Sequence, residues 1–238
     1  MDLTIRLQPS SWHHWFGTDD LGRDILSRVI YGARTSLIIV VLVPFIATPI
    51  GLLVGILAGF FGGWVNTILM RLTDIFLTFP KLILALAFVA VLGPKLDNAI
   101  LAIALTSWPP YALLCRTQTQ IYHKADFIKA ALLQGVSRWR IIFIYFPPLC
   151  FSSLTIRISL EMGGVVLTAA ALSFLGLGAQ PPTPEWGSMT AAGRDFLFHE
   201  WWVCTYPSIA IFITSLGFNL FGSGLRDTLD PKNMEHLQ

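Results

Sequence analysis

Arg157 and Glu161 stand four positions apart inside an otherwise apolar run. On a helix this spacing puts them on one face, on adjoining turns. A charge inside a bilayer costs at least ~2.5 kcal/mol on insertion scales unless it is paired or hydrated, so the two are expected to neutralise each other. Such a pair either lines a polar translocation path or is sealed between helices. Lys81 lies in another apolar run, where its stem can snorkel to an interface. Asp74 has no matched acidic partner for acid–base work. His13, His14 and Asp19 are of types a metal accepts, but adjacent side chains point different ways on a helix or strand, and no metal site is expected. Cys115, Cys150 and Cys204 form no CxxC pair and lie in or beside apolar stretches, where a thiol behaves as a small hydrophobe. The sequence contains no GxSxG elbow, no HExxH helix and no GxxxxGK[ST] phosphate loop. The expectation is therefore no catalytic residue, no bound cofactor and no metal.

The elements that carry these residues belong to a membrane. Of 238 residues, 54% are hydrophobic and only 13% charged, about half the charged share of soluble domains. Apolar runs near the ~20 residues needed to cross ~30 Å of hydrocarbon recur along the chain. They predict an all-α integral membrane protein with five spans, at about 37–60, 68–92, 99–115, 148–175 and 203–221, the second kinked at Pro80. An N-terminal segment, 1–36, precedes a transmembrane domain, 37–223, and a polar tail, 224–238, follows it. Met1 to Ser10 shows no signal-peptide pattern. The loop 116–147 carries Arg116, Lys124, Lys129, Arg138 and Arg140, five of the sixteen Lys and Arg residues, which places it in the cytoplasm by the positive-inside rule. The tail then also falls inside, and the N-terminal segment and the Gly176 to Glu200 loop outside. Arg6, Arg23, Arg28 and Arg34 before the first span weigh against this orientation. Net charge is only +2, so no basic face points to nucleic acid.

Within that loop, Phe127 to Trp139 predicts a short amphipathic helix followed by a turn at Gly135. The small residues Ala130, Ala131 and Gly135 suit close approach by another protein. A plain connector helix packed on its own spans is the competing reading.

This segment resembles the EAA loop of ABC importer permeases, which has Glu-Ala-Ala, three residues, Gly and a later Pro. Lys129, Ala130, Ala131, Gly135 and Pro148 occupy those places, with Lys129 in place of the usual acid. Three further stretches are similar to the second permease of dipeptide, oligopeptide and nickel importers. They are Trp15-Phe16-Gly17-Thr18-Asp19 with Leu21-Gly22-Arg23-Asp24, then Leu172 to Gly178 leading to Pro184-Glu185-Trp186-Gly187, then Phe218-Asn219-Leu220 with Leu225-Arg226-Asp227 and Asp230-Pro231.

The resemblance implies a type I ABC importer permease fold, in which the EAA-like loop forms the coupling helix that seats in an ATPase cleft. It implies a second permease subunit, two ATP-binding-cassette ATPase subunits that bind the ATP, and an extracytoplasmic solute-binding protein, in the bacterial cytoplasmic (inner) membrane. The implied cargo is a di- or oligopeptide, with nickel or another small solute as the alternative. The family pattern also has a helix before the Trp15 to Asp19 stretch, so the expected five spans are one fewer than the family's six. Two other classes are weighed against a permease. An intramembrane enzyme lacks an arranged catalytic set, and a self-sufficient channel or secondary transporter would preferably carry an internal repeat, of which no convincing one is found.

Overall fold

The computed structural model describes residues 3–229, and these are helical apart from turns and one isolated bridge between Thr18 and Asp24. Helix α1, Ile25–Phe61, begins well before the apolar run expected from residue 37. Its start is set by Asp24, whose carboxylate accepts a 2.7 Å hydrogen bond from Ser27 N–H and so satisfies one of the free donors of the first turn. Arg28 and Arg34 in the early turns mask this start from hydropathy. At ~1.5 Å per residue the 37 residues extend about 55 Å, so the polar first turns stand clear of a ~30 Å hydrocarbon layer.

The second expected span is two helices rather than one kinked rod: α2, Gly63–Thr78, and α3, Lys81–Leu92, meet at 94°. Phe79 is extended (φ −88°, ψ 139°), because the ring of Pro80 excludes a helical residue before it. Helices α4, Leu96–Ser107, and α5, Pro109–His123, join through Trp108 into one 28-residue rod. The helix thus runs past the expected end at 115, because Cys115 and Thr119 continue its buried face while Arg116 and Gln118 beside them bond to Asn66 and Ser153 on neighbouring helices.

After α6, Asp126–Leu133, the turn α7, Arg138–Arg140, passes through a π-helical turn, Ile141–Tyr145, into α8, Phe146–Phe174. The apolar run expected from 148 is therefore the continuation of a 37-residue rod. Pro147 and Pro148 lack N–H donors, which accounts for the wider turn just before them. A short helix α9, Trp186–Ala192, lies in the expected Gly176 to Glu200 loop. Finally α10, Trp202–Leu229, extends beyond residue 221 into the segment expected as tail. The rest of that tail, including Asp230, Pro231 and Lys232, lies outside the described residues. Among the described residues four rods are long and apolar enough to cross a membrane, or five if α2 and α3 form one broken span.

Glycine stripes set the packing. Gly51, Gly55 and Gly59 lie along α1 against α5, and a Cβ on Gly59 would fall 2.7 Å from Thr119 Cβ and 2.8 Å from the Arg116 carbonyl. The numbers rise together along both helices, so they run parallel in close backbone contact, as small residues permit in membranes. On the antiparallel pair α8/α10, Gly163 faces Asn219 and Ser215, and Ser215 Oγ donates to the Gly163 carbonyl at 3.0 Å. The α4–α5 rod is the central one, with 67% of its apolar window buried against 11% for α10. Large apolar side chains such as Phe45, Ile68, Val91 and Phe151 remain on the outside, as suits lipid or neighbouring helices.

The N-terminal segment packs at the α10 start. Phe16 stacks on Tyr206 with ring centres 4.0 Å apart, and Trp202 Nε1 donates to the Thr18 carbonyl at 3.4 Å. It shares that end of the bundle with α9, whose Trp186 Nε1 donates to the Val29 carbonyl at 2.8 Å. Helix α6 lies at the other end, beside the last turns of α1 and α5.

Candidate functional site

The first site is built on α6. Ile128 is fully buried and Ala131 is 8% exposed, so these two form the inner face of the helix. Ile128 joins a cluster with Ile56, Phe60, Ile141, Ile142 and Phe146, which fixes α6 to the end of α1 and the start of the α7–α8 rod. Phe127, Lys129, Ala130, Leu133 and Gln134 are exposed, Leu133 to 90%. Because residues three apart share a helix face, Phe127, Ala130 and Leu133 make an outward apolar ridge in a segment rich in cations. Lys129 Nζ lies 3.2 Å from Asp126 Oδ1, an exposed pair that contributes at most about 1 kcal/mol. Gly135 has φ +81°, and a Cβ there would meet nothing within 4 Å. Its glycine answers the left-handed backbone that ends α6 rather than crowding within the chain. Of the four residues expected at this site, Lys129, Ala130 and Gly135 are outward and Ala131 is turned inward.

The second site is the polar cluster inside the bundle. Arg157 NH2 lies 3.3 Å from Glu161 Oε2, as the spacing suggested. A shorter contact was not legible in the sequence: Lys81 Nζ reaches Glu161 Oε1 at 2.5 Å, tying the first residue of α3 to the middle of α8. One carboxylate thus bridges two cations from two helices. Lys81 points inward rather than snorkelling, because the bend at Pro80 turns the start of α3 toward α8. The signal that could have found it is a lysine directly after a proline within an apolar run.

Glu185, quoted in the sequence only as part of a stretch similar to the family, has a structural role of its own. It is 1% exposed, caps α9 by accepting from Gly187 N–H at 3.0 Å and Ser188 N–H at 2.9 Å, and accepts from Ser36 Oγ at 3.3 Å. This fastens the loop before α9 to α1. At the same end, Asp19 accepts from Leu21 N–H, Arg23 N–H and Arg23 Nε, and orders the polar turn before α1. His14 Nδ1 is 3.0 Å from Asp24 Oδ1. Burial opposes ionisation of Asp24, but hydrogen bonds from Ser27 and the nearby His14 outweigh it, and its carboxyl is held below the ordinary range. No group of three His, Cys, Asp or Glu side chains placed to hold a metal gathers among the described residues.

Residues 51–234 match the family model described as binding-protein-dependent transport system inner membrane component. The chain is 46% identical over 232 residues to the probable D,D-dipeptide transport system permease protein of Escherichia coli K12, spanning 98% of this chain and 78% of that one. It is 44% identical to the dipeptide transport system permease protein of Alkalihalophilus pseudofirmus, over 95% of this chain and 75% of that one. It is 46% identical to the glutathione transport system permease protein of Escherichia coli O6:K15:H31, over 93% and 73%. Among solved structures, an inward-facing form of the MetNI methionine ABC transporter superposes with a TM-score of 0.67 at 16% identity, over 87% of this chain and 98% of that one. That likeness is one of fold.

Proposed function

Since the chain belongs to the binding-protein-dependent transport system inner membrane components, as a permease of the ABC importers of the peptide class, we propose that it carries di- or oligopeptides through a pore shared with a second permease. The chain is a transport subunit of type I importer fold and not an enzyme. ATP is bound and hydrolysed by two ATPase partners, and an extracytoplasmic binding protein delivers the cargo. The membrane is the bacterial inner membrane. Residues 116–147 and the end of α10 face the cytoplasm, while the N-terminal segment and the α9 loop face outward.

The observation that carries this reading is the outward ridge Phe127, Ala130 and Leu133 on α6, whose inner face is locked by Ile128 and Ala131 to the bundle. A ridge free on one side and fixed on the other is suited to take a push from an ATPase cleft, with Lys129, Ala130 and Gly135 at the contact and Ala131 as its anchor. The α7–α8 rod then carries the motion toward Lys81, Arg157 and Glu161, which form polar lining of the path.

The test is uptake by the assembled transporter in proteoliposomes, supplied with the binding protein and either L-alanyl-L-alanine or nickel ion. ATP-dependent accumulation of the dipeptide is expected. Accumulation of nickel but not of peptide would overturn the cargo assignment, and peptide flux through this chain without ATPase subunits would overturn the importer mechanism.

A further inference from the structure

A cavity of about 470 Å³ opens between α5, α8 and α10, toward the α6 end of the bundle. Its polar wall consists of Gln118, Tyr122, Ser152, Ser153, Arg157 and Arg226, and among the described residues no carboxylate lines it. Gln118 Nε2 donates to Ser153 Oγ at 3.2 Å, which sets the two helices α5 and α8 in register at this level. Among the described residues the charge around it is unbalanced. Glu161 is shared between Lys81 at 2.5 Å and Arg157 at 3.3 Å, so one acid answers two cations, and Arg226 adds a third. Arg157 Nε is buried and has no hydrogen-bond partner among the described residues. An excess guanidinium charge within a membrane bundle calls for an anion, and the planar fork of arginine matches a carboxylate. The volume falls within the roughly 300–1,000 Å³ typical of small-molecule sites.

We propose that this cavity is a binding station for the C-terminal carboxylate of a peptide at the inner end of the path, held by Arg226 and Arg157 with Ser152, Ser153 and Gln118 offering neutral hydrogen bonds. The inference rests on the peptide-permease reading and adds a site within the permease itself, separate from the binding protein. The same walls repel a divalent cation, so the site selects against nickel.

The experiment uses the assembled transporter in nanodiscs without binding protein or ATP, titrated with radiolabelled L-alanyl-L-alanine and with L-alanyl-L-alaninamide. Saturable binding of the acid is expected, with the amide weaker by roughly tenfold or more, as befits loss of a charge-assisted bond. Arg226→Gln should weaken binding of the acid by a similar factor and leave the amide nearly unchanged, so that acid and amide converge. Arg226 is exposed near the end of α10, and a melting curve checks that the variant is folded. Equal binding of acid and amide to the parent transporter, or an unchanged acid–amide gap in Arg226→Gln, would overturn the proposal. So would saturable displacement by phosphatidylglycerol with no acid–amide difference, which would assign the cavity to a lipid headgroup. ATP-driven peptide uptake by the same preparation separates the two readings: uptake without carboxylate-sensitive binding sinks the station alone, whereas failure of all peptide uptake sinks the proposed function.

Discussion

Glu161 holds two cations, and the consequences of removing each member differ. Without Lys81 the carboxylate keeps Arg157 four residues away on the same helix. Without Glu161 two cations face each other with no counter-charge. Breaking a buried pair by removing one partner leaves the other uncompensated, at a cost of up to about 3–5 kcal/mol, less here because Arg157 is partly exposed. Glu161→Gln should therefore lower the melting temperature of the detergent-solubilised subunit more than Lys81→Met does. The exchange Lys81→Glu with Glu161→Lys should fail to restore stability, since it sets a lysine against Arg157; full recovery would disprove the three-way arrangement. A second residue-scale expectation concerns Asp24, which caps α1 before its apolar run. Because its carboxyl titrates below the ordinary range in the folded chain, its contribution is fully present above the unfolded value near 3.9 and is lost as pH falls through the folded one. Asp24→Ala should thus cost about 1 kcal/mol near neutral pH, and the difference from the parent in denaturant titrations should shrink below about pH 4. A difference independent of pH would remove the charge from the argument. The Arg157–Glu161 pair was legible because i,i+4 contacts are local. Lys81 was not, because its partner lies 80 positions away and only the bend at Pro80 brings them together.

At the scale of elements, the apolar runs revealed that helices exist but not where they stop. A helix facing lipid or core is apolar nearly all round, whereas its continuation into water is polar on one side only and drops out of a hydropathy reading. This is why α1 begins at Ile25, α5 persists to His123 and α8 is the extension of a rod from Arg138. The 94° break between α2 and α3 had a local cause in Phe79-Pro80, but its size depends on what α3 then packs against. The spacing of Gly51, Gly55 and Gly59 went unread in the sequence, and it does not name α5 as the partner. It yields a contrast within one residue type. A Cβ at Gly55 would meet Cys115 Cβ at 2.6 Å and Arg116 N at 2.9 Å, while one at Gly164 meets nothing within 4 Å. Gly55→Val should cost at least the ~1–3 kcal/mol of overpacking, because part of the clash is with backbone that cannot rotate away. Gly164→Ala should be neutral or stabilise by up to about 1 kcal/mol, since it only removes glycine's excess freedom in a helix. Thermal unfolding of both variants decides this, and equal stabilities would show that α1 and α5 are not held at backbone distance.

For the whole molecule, the proposed coupling requires a movement at α6 to reach the polar cluster, and the architecture supplies a stiff route. Between Arg138 and Glu161 the chain is one helical rod, whose 23 steps span about 35 Å at ~1.5 Å each. Its lower end is locked to α6 through Ile128, and its middle to α3 through Glu161 and Lys81. A push on the outer face of α6 is therefore transmitted rather than absorbed, provided the partner grips that face. On the proposed coupling, the grip belongs to residues whose removal costs the isolated subunit nothing. Leu133 is 90% exposed and makes no core contact to lose, so Leu133→Glu should leave membrane insertion and melting temperature unchanged. In the assembled transporter the same change should weaken ATPase association by roughly thirtyfold or more, if Leu133 is one of the few residues that carry an interface, each worth about 2 kcal/mol. Gly135 separates backbone strain from docking. Gly135→Asn should be accepted because asparagine tolerates the left-handed backbone, whereas Gly135→Val should lose about 1–2 kcal/mol in the subunit alone. Lys129→Glu should leave ATPase association intact, since it places at the proposed contact the acid usual in the EAA loop that this segment resembles, and within the subunit it gives up only the weak exposed pair with Asp126. The measurements are ATPase pull-down and peptide uptake for each variant beside its melting curve. Normal association and uptake by Leu133→Glu would make α6 a connector packed on its own spans, and the drive on Glu161 would have to enter the bundle elsewhere.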